Sequence, residues 1–148
     1  FNVLAERVQM SGTLRTFDLA TRARILEHME ALLAGVCAAH GAGYQLSWSD
    51  FTPPVVNDAA ATAHLAAAAA AVLGETAVAD GPMMMVAEDV AEFLNRTPGS
   101  FFVLGAMPER APAEPHHSPR FDIDERALPL GAAILAQATY EWLNCRGD

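Results

Sequence analysis

The sequence predicts an α/β fold in two parts. Three consecutive segments predict the first part, and a pair of prolines marks its end. An alternating segment over residues 8–17, a long amphipathic segment over 19–40 and a second alternating segment over 44–51 follow one another. A strand, a helix and a strand in this order are typical of half of a small α+β sandwich with an antiparallel sheet. Pro53 and Pro54 then enforce an extended link, because proline keeps the preceding residue out of the helical region.

The first strand is predicted by side-chain parity. Val8, Met10 and Leu14 fall on one face of an extended segment, and Thr13 and Arg15 fall on the other. Alternation of this kind indicates a strand with one buried face. Residues 44–51 alternate in the same way and predict the second strand.

The helix over 19–40 is predicted by apolar residues that recur at helical spacing. They are Ile25, Leu26, Met29, Leu32, Leu33 and Val36. Asp18 stands where a helix N-cap is expected, and Gly41 and Gly43 stand where the helix should end.

The remainder of the chain, from residue 54, predicts a mixture of helices and short buried strands. Asn57 and Asp58 precede an Ala-rich helix that ends at Gly74, and Asp124 precedes a last apolar helix. Other predicted elements are a short helix over 88–95, buried strands near 83–85 and over 100–105, and a proline-containing loop over 106–119.

Composition excludes several classes of protein. The 148 residues are 52% hydrophobic and 18% charged, which is too apolar for a disordered tail. A formal net charge of −9 argues against nucleic acid or an anionic membrane surface as a partner. No run reaches the roughly 18 apolar residues of a membrane span. Cys37 and Cys145 form no paired motif, so we expect reduced thiols in a cytoplasmic protein.

One loop carries residues that are suited to chemistry. His116 and His117 are adjacent and follow Pro115, shortly before the last predicted helix. Imidazole is the commonest metal ligand near neutral pH, and binding residues concentrate in loops. Two neighbouring histidines cannot complete a zinc site, which needs three or four protein ligands. The residues alone therefore leave open both a metal role and a structural or solvated role.

Five segments, in order, carry a resemblance to a known family. They are Asn2-Val3-Leu4 with Val8, the segment Ser11-Gly12-Thr13-Leu14-Arg15-Thr16-Phe17, Ala87-Glu88-Asp89, the segment 97–105 (TPGSFFVLG), and His117-Ser118-Pro119 with Phe121-Asp122 and Leu128-Pro129-Leu130-Gly131. Together they resemble the C-terminal portion of an M20 family metallopeptidase. The resemblance is to its amidohydrolase branch, which includes hippurate hydrolases, N-acyl amino acid hydrolases and indole-acetyl-amino acid hydrolases.

The resemblance implies an architecture with two domains. Residues 1–53 would be the second part of a lid domain that dimerises, giving a homodimer. Residues 54–148 would be the C-terminal part of an α/β catalytic domain that binds two divalent metal ions, with zinc or manganese expected. The implied reaction is metal-assisted hydrolysis of the amide bond of N-acyl amino acids or related small substrates, in which the metals lower the pKa of a water molecule.

The resemblance also implies roles for particular residues. His117 would be a metal ligand, whereas His116 replaces a usually apolar neighbour. Asn2 and Arg15, thirteen positions apart, would bind the substrate carboxylate. Arginine suits this role because its planar guanidinium can donate two parallel hydrogen bonds. Glu88 would lie near the active site.

The same resemblance implies that no catalytic residue lies in this chain. The other metal ligands and the general-base glutamate of the family lie N-terminal to the matching segments. The chain begins with Phe1. We therefore expect a portion of a longer enzyme that is inactive when isolated. The alternatives are a non-catalytic dimerisation or interaction module derived from that family, and a soluble α/β domain of another role.

Overall fold

A computed structural model describes residues 2–49, 52–109 and 114–144, and in these ranges the regular structure is helical. The α-helices are α1 (Leu19–His40), α2 (Ala59–Leu73), α3 (Ala91–Leu94) and α4 (Ala127–Asn144), and a 3-10 helix spans Glu75–Ala77. The chain divides into two compact units. The first unit comprises Phe1–Val55 and Met84–Ala91, and the second comprises Val56–Met83 and Glu92–Asp148.

The predicted caps of α1 and α2 are confirmed. The Asp18 carboxylate accepts a hydrogen bond of 2.7 Å from the backbone N–H of Thr21 at the start of α1. Gly41 ends this helix in the left-handed conformation, with φ of 64°. A side chain that accepts from the first turn satisfies a backbone donor that has no partner within the helix. Asp58 caps α2 in the same way, with a bond of 2.9 Å from the N–H of Ala61.

In the first unit, the segment after α1 lies against that helix. Trp48 borders a shallow groove together with Ala23 and Leu26 of α1. The hydroxyl of Tyr44 donates to the Glu30 carboxylate at 3.4 Å. These contacts leave part of the helix uncovered, because Leu32 and Val36 stay 68% and 58% exposed.

In the second unit, α2 and α4 pack against each other and form the core. Ala68 of α2 and Ile134 of α4 are fully buried. The ring Nε2 of His64 lies 2.8 Å from the carbonyl oxygen of Ala138, and the ring also meets Trp142 edge-on at 5.4 Å between centroids. His64 therefore has the structural role of joining the two helices.

The residues of α4 that face this core recur at intervals of four, three, four and three. They are Ala127, Gly131, Ile134, Ala138 and Glu141. Small residues dominate this stripe and allow a close approach. A Cβ atom at Gly131 would lie 3.1 Å from Cδ2 of Leu104, so segment 100–105 passes close to this face.

The predicted strands are absent from the described residues, so the predicted α/β class is not confirmed there. Segments 8–17, 44–49, 83–85 and 100–105 contain no β-ladder, and residues 50 and 51 lie outside the described ranges. A strand requires a neighbour that exchanges backbone hydrogen bonds with it. Side-chain alternation predicts which face would be buried, but it does not supply that neighbour.

In segment 100–105, the Asn57 side chain makes hydrogen bonds to the backbone of the kind that a neighbouring strand would make. The amide of Asn57 donates to the carbonyl oxygen of Phe101 at 2.8 Å, and its Oδ1 accepts from the N–H of Phe101 at 2.9 Å. Beside this pair, the N–H of Asp58 donates to the carbonyl oxygen of Gly99 at 2.9 Å. The start of α2 is thus hydrogen-bonded to the segment that was predicted to be a strand.

Two further expectations have different outcomes. The short helix predicted over 88–95 is present only as the single turn of α3. The boundary at Pro53 and Pro54, with a lid portion over 1–53 and a catalytic portion over 54–148, stays a prediction, because the two units are defined by compactness and not by function.

None of the helices in the described part of the chain combines the length and apolar character needed to cross a bilayer.

The Asp18 cap predicts an acid-dependent loss of stability in the first unit. Hydrogen bonds from the backbone and side chain of Thr21 lower the pKa of Asp18 below its ordinary value. A carboxylate whose pKa is lowered by folding stabilises the fold above its unfolded pKa of about 3.9, and the stabilisation is lost as pH falls through the folded value. We expect the thermal midpoint for unfolding of α1, measured by circular dichroism, to decrease as the pH is lowered through this range.

The matched variants are Asp18→Asn and Asp18→Ala. Asparagine also caps helices but does not titrate, so Asp18→Asn should remove the acid-dependent step that this cap contributes. Asp18→Ala should lower the midpoint at neutral pH as well. An identical acid transition in wild type and Asp18→Asn would contradict this account.

Candidate functional site

The two candidate histidines lie in a tight turn. The N–H of Ser118 donates to the carbonyl oxygen of Pro115 at 3.1 Å, which closes a turn over 115–118. His117 occupies the third position of this turn with φ of 69°, and it is the non-glycine residue with positive φ among those described. Such a conformation costs a residue with a Cβ atom roughly 1–2 kcal/mol, and it is found preferentially at functional sites.

The turn gives the two imidazole rings different surroundings. The ring of His116 packs edge-on against Phe121, with 5.0 Å between centroids. The His117 side chain is exposed, and its ring nitrogens make no hydrogen bond with described residues. Of the pair, His117 therefore presents an imidazole that no neighbouring ring engages.

A network of hydrogen bonds surrounds the turn. The Glu114 carboxylate accepts from Ser118 Oγ at 3.1 Å and from Arg120 Nε at 2.8 Å. Ser118 Oγ also accepts from the N–H of Arg120 at 3.1 Å. The carbonyl oxygen of Ser118 accepts from the N–H of Phe121 at 3.0 Å. These bonds join the residue before the turn to the residues after it.

A second ionic cluster connects Glu109 to the residues just before α4. Arg126 contacts both Asp124 and Glu109, the latter at 2.7 Å. Side-chain hydrogen bonds from Arg126 lower the pKa of Asp124, and the two carboxylates raise the pKa of Arg126. The N–H of Asp124 donates to the carbonyl oxygen of Ala106 at 2.9 Å.

Asp124 acts just before α4 and not within its first turn. Its carboxylate accepts from the N–H of Arg126, and its carbonyl oxygen accepts from the N–H of Ala127, where the helix begins. The predicted start of the last helix is therefore displaced by a short turn.

The other candidate residues belong to the first unit. Asn2 and Arg15 are exposed, and their side chains form no hydrogen bond or ion pair with described residues. Glu88 is half-buried, and its carbonyl oxygen accepts from the N–H of Ala91. No hydrogen bond or ion pair joins these three residues to one another. The turn over 115–118 is the place where the structure brings two candidates together.

Metal-ligating side chains do not converge anywhere in the described ranges. No group of three or more His, Cys, Asp or Glu side chains there could hold a metal ion. This agrees with the chemistry of the donor set, since His117 alone offers one neutral nitrogen and a zinc site needs three or four ligands. The described residues thus fit a contribution of a single ligand, and Cys145 lies outside them.

Reasoning from sequence missed Glu114 and Ser118. The sequence does not single out Glu114, and Ser118 enters only as part of the His117-Ser118-Pro119 motif. Their spacing of four residues carries no recognisable signal outside a helix. Only the turn conformation brings the hydroxyl to the carboxylate.

Comparison with known proteins finds similarity over nearly the whole chain. Residues 7–141 match Peptidase family M20/M25/M40. A Bacillus subtilis protein named as an amidohydrolase, YhaA, is 40% identical over 146 residues, which cover 97% of this chain and 37% of that protein. A Synechocystis protein named as a hydrolase, sll0100, is 36% identical over 97% of this chain and 37% of its own length.

A third relative has a more specific name. The N-acetylcysteine deacetylase of Bacillus subtilis is 32% identical over 137 residues, which cover 93% of this chain and 34% of that protein. The chain thus spans about a third of the length of these relatives. The family match, which extends over most of the sequence, shows that the chain belongs to Peptidase family M20/M25/M40.

Proposed function

We propose that this chain is the C-terminal portion of a metal-dependent amidohydrolase that cleaves the amide bond of N-acyl amino acids or related small molecules. The observation that carries the proposal is the family match over residues 7–141. A relative whose name specifies removal of an acetyl group from N-acetylcysteine supports the substrate class. In this proposal, residues 1–53 belong to a lid domain and 54–148 to a cytoplasmic enzyme's catalytic domain, with Glu88 near the active site.

The metal site would include His117. Its exposed ring and its turn conformation support this role, and the His116 ring already packs on Phe121. Two divalent ions, zinc or manganese, would supply Lewis acidity and a water of lowered pKa when bound. Because the described residues offer no further ligand cluster, the other ligands and the general base would come from outside them. The isolated chain should then be inactive.

Substrate carboxylates would be bound by Asn2 and Arg15. Both side chains are exposed and make no hydrogen bond or ion pair with described residues, so their donors are available. A guanidinium that already had a carboxylate partner would have to break that pair before it bound substrate. No described residue forms such a pair with Arg15, in contrast to Arg120 and Arg126, which form ion pairs within the chain.

A homodimer through the first unit is the remaining part of the proposal. Ile25, Met29, Leu32 and Val36 follow one another along α1 at intervals of four, three and four residues. This is the spacing of a seam between two packed helices. Leu32 and Val36 stay more than half exposed in the single chain. A second copy that presents the same stripe would cover them in an isologous contact.

The metal role predicts different effects for the two adjacent histidines. In the complete gene product, His117→Ala should reduce bound metal and lower kcat by at least about 100-fold, since loss of outer-sphere partners alone costs 10–100-fold. His116→Ala is the matched control and should retain metal content and most activity. Metal analysis and hydrolysis of N-acyl amino acids measure these outcomes. Unchanged metal content and activity in His117→Ala would refute the ligand assignment.

The carboxylate role predicts a defect that depends on substrate charge. Arg15→Ala should raise KM for an N-acyl amino acid by roughly 10- to 100-fold, since a hydrogen bond to a charged group contributes about 1.5–3 kcal/mol. The KM for the corresponding amide, which lacks the carboxylate, should change far less. Arg7→Ala removes an exposed arginine of the same segment and serves as the control. Equal effects of Arg15→Ala on both substrates would contradict the assignment.

The dimer predicts that a charge on the exposed stripe of α1 separates the copies. Leu32→Glu should shift the complete gene product from dimer to monomer in sedimentation velocity measurements, because it places a carboxylate where apolar surface would be buried. Ala31→Glu, at an exposed position of α1 outside this stripe, should leave the dimer intact. A Leu32→Glu protein that sediments as the wild type does would argue against this interface.

A further inference from the structure

The backbone of His117 is held in an unfavourable conformation by residues on both sides of it. A positive φ persists in a non-glycine residue only when the surrounding structure over-determines it. The hydrogen bond from the Ser118 N–H to the Pro115 carbonyl oxygen closes the turn at His117, but it does not join the turn to the residues after it. The additional restraint is the Glu114 carboxylate, which lies before the turn and binds Ser118 and Arg120 after it.

The two bonds to Glu114 differ in their surroundings. The Arg120 side chain is 79% exposed, whereas the Glu114 side chain is 21% exposed. Exposed ion pairs contribute little, because water screens them. The bond from Ser118 Oγ is part-buried, and the same oxygen also accepts from the N–H of Arg120. Ser118 is therefore the point at which the carboxylate, the turn and the following backbone meet.

We propose that Glu114 and Ser118 are positioning residues that hold the backbone of His117 in the conformation from which its imidazole would bind a metal. The inference rests on the proposed function for the identity of the ligand, but the restraint itself concerns only the backbone of the turn. Neither residue touches the metal in this account. Their effect is to keep His117 in its bound conformation before metal arrives, so that binding does not have to order the loop.

Metal affinity is the first measurement. Zn²⁺ is titrated into the complete apoprotein in competition with a chromophoric chelator. Glu114→Ala and Ser118→Ala should weaken the His117-dependent binding by about 10- to 100-fold, the range found when outer partners of metal ligands are removed. Ser118→Thr keeps the hydroxyl and should restore wild-type affinity.

Glu109→Ala is the matched control. Glu109 also pairs with an arginine, Arg126, at 2.7 Å in the same unit, but it lies outside the turn. This variant should bind Zn²⁺ as the wild type does. If Glu114→Ala weakens binding no more than Glu109→Ala, the proposal is overturned. Should Glu114→Ala fail to fold, Glu114→Gln replaces it. Ser118 and Arg120 donate to different oxygens of Glu114, and in glutamine one of these becomes an NH2 group that cannot accept, so binding should still weaken.

The second measurement distinguishes failure of this inference from failure of the proposed function. In protein labelled at histidine, a positive φ produces a strong nuclear Overhauser effect between the amide proton and Hα of the same residue. This signal at His117 should be present in wild type and Ser118→Thr without metal, and weakened in Glu114→Ala and Ser118→Ala. If these variants lose the signal while His117→Ala leaves Zn²⁺ binding unchanged, the restraint stands and the ligand assignment fails. A signal that persists in Glu114→Ala refutes the restraint.

Discussion

The packing of α2 on α4 is the contact on which the second unit depends. It buries Ala68 and Ile134 and is tied by the bond between His64 and the Ala138 carbonyl oxygen. The residues at the start of α2, Asn57 and Asp58, are hydrogen-bonded to segment 99–101. Just before α4, the N–H of Asp124 donates to the carbonyl oxygen of Ala106. The geometry of the candidate site itself comes from hydrogen bonds within residues 114–121.

Little surface is buried beyond this contact. The chain exposes 12604 Å², whereas a folded protein of 15.7 kDa is expected to expose about 7,300 Å². Buried hydrophobic residues in the described ranges are Ala68, Ala91, Ala127 and Ile134. Helices can form under these conditions because their backbone bonds and caps are local, whereas strands need a partner. The side chains left exposed include large apolar ones, among them Leu32 and Val36.

The difference between local and non-local interactions also explains which predictions succeed. Asp18, Gly41 and Asp58 act on residues within one helical turn, so the bounds of α1 and α2 could be predicted from sequence alone. The strands could not be verified in the same way, because alternation at Val8 and Met10 predicts a face and not a partner. Family membership was predictable because it depends on the order of several motifs and requires no contact at all.

The candidate site combines both kinds of information. The sequence singled out His116 and His117 as a pair, and the resemblance preferred His117. The structure adds a physical difference between them, because only His117 has a positive φ and only His116 packs on Phe121. A relaxed loop would not keep histidine in that conformation, so its cost must be offset by neighbouring bonds. The hydrogen bonds of Glu114 and Ser118 are the ones placed to do this, and they join the residue before the turn to the residues after it.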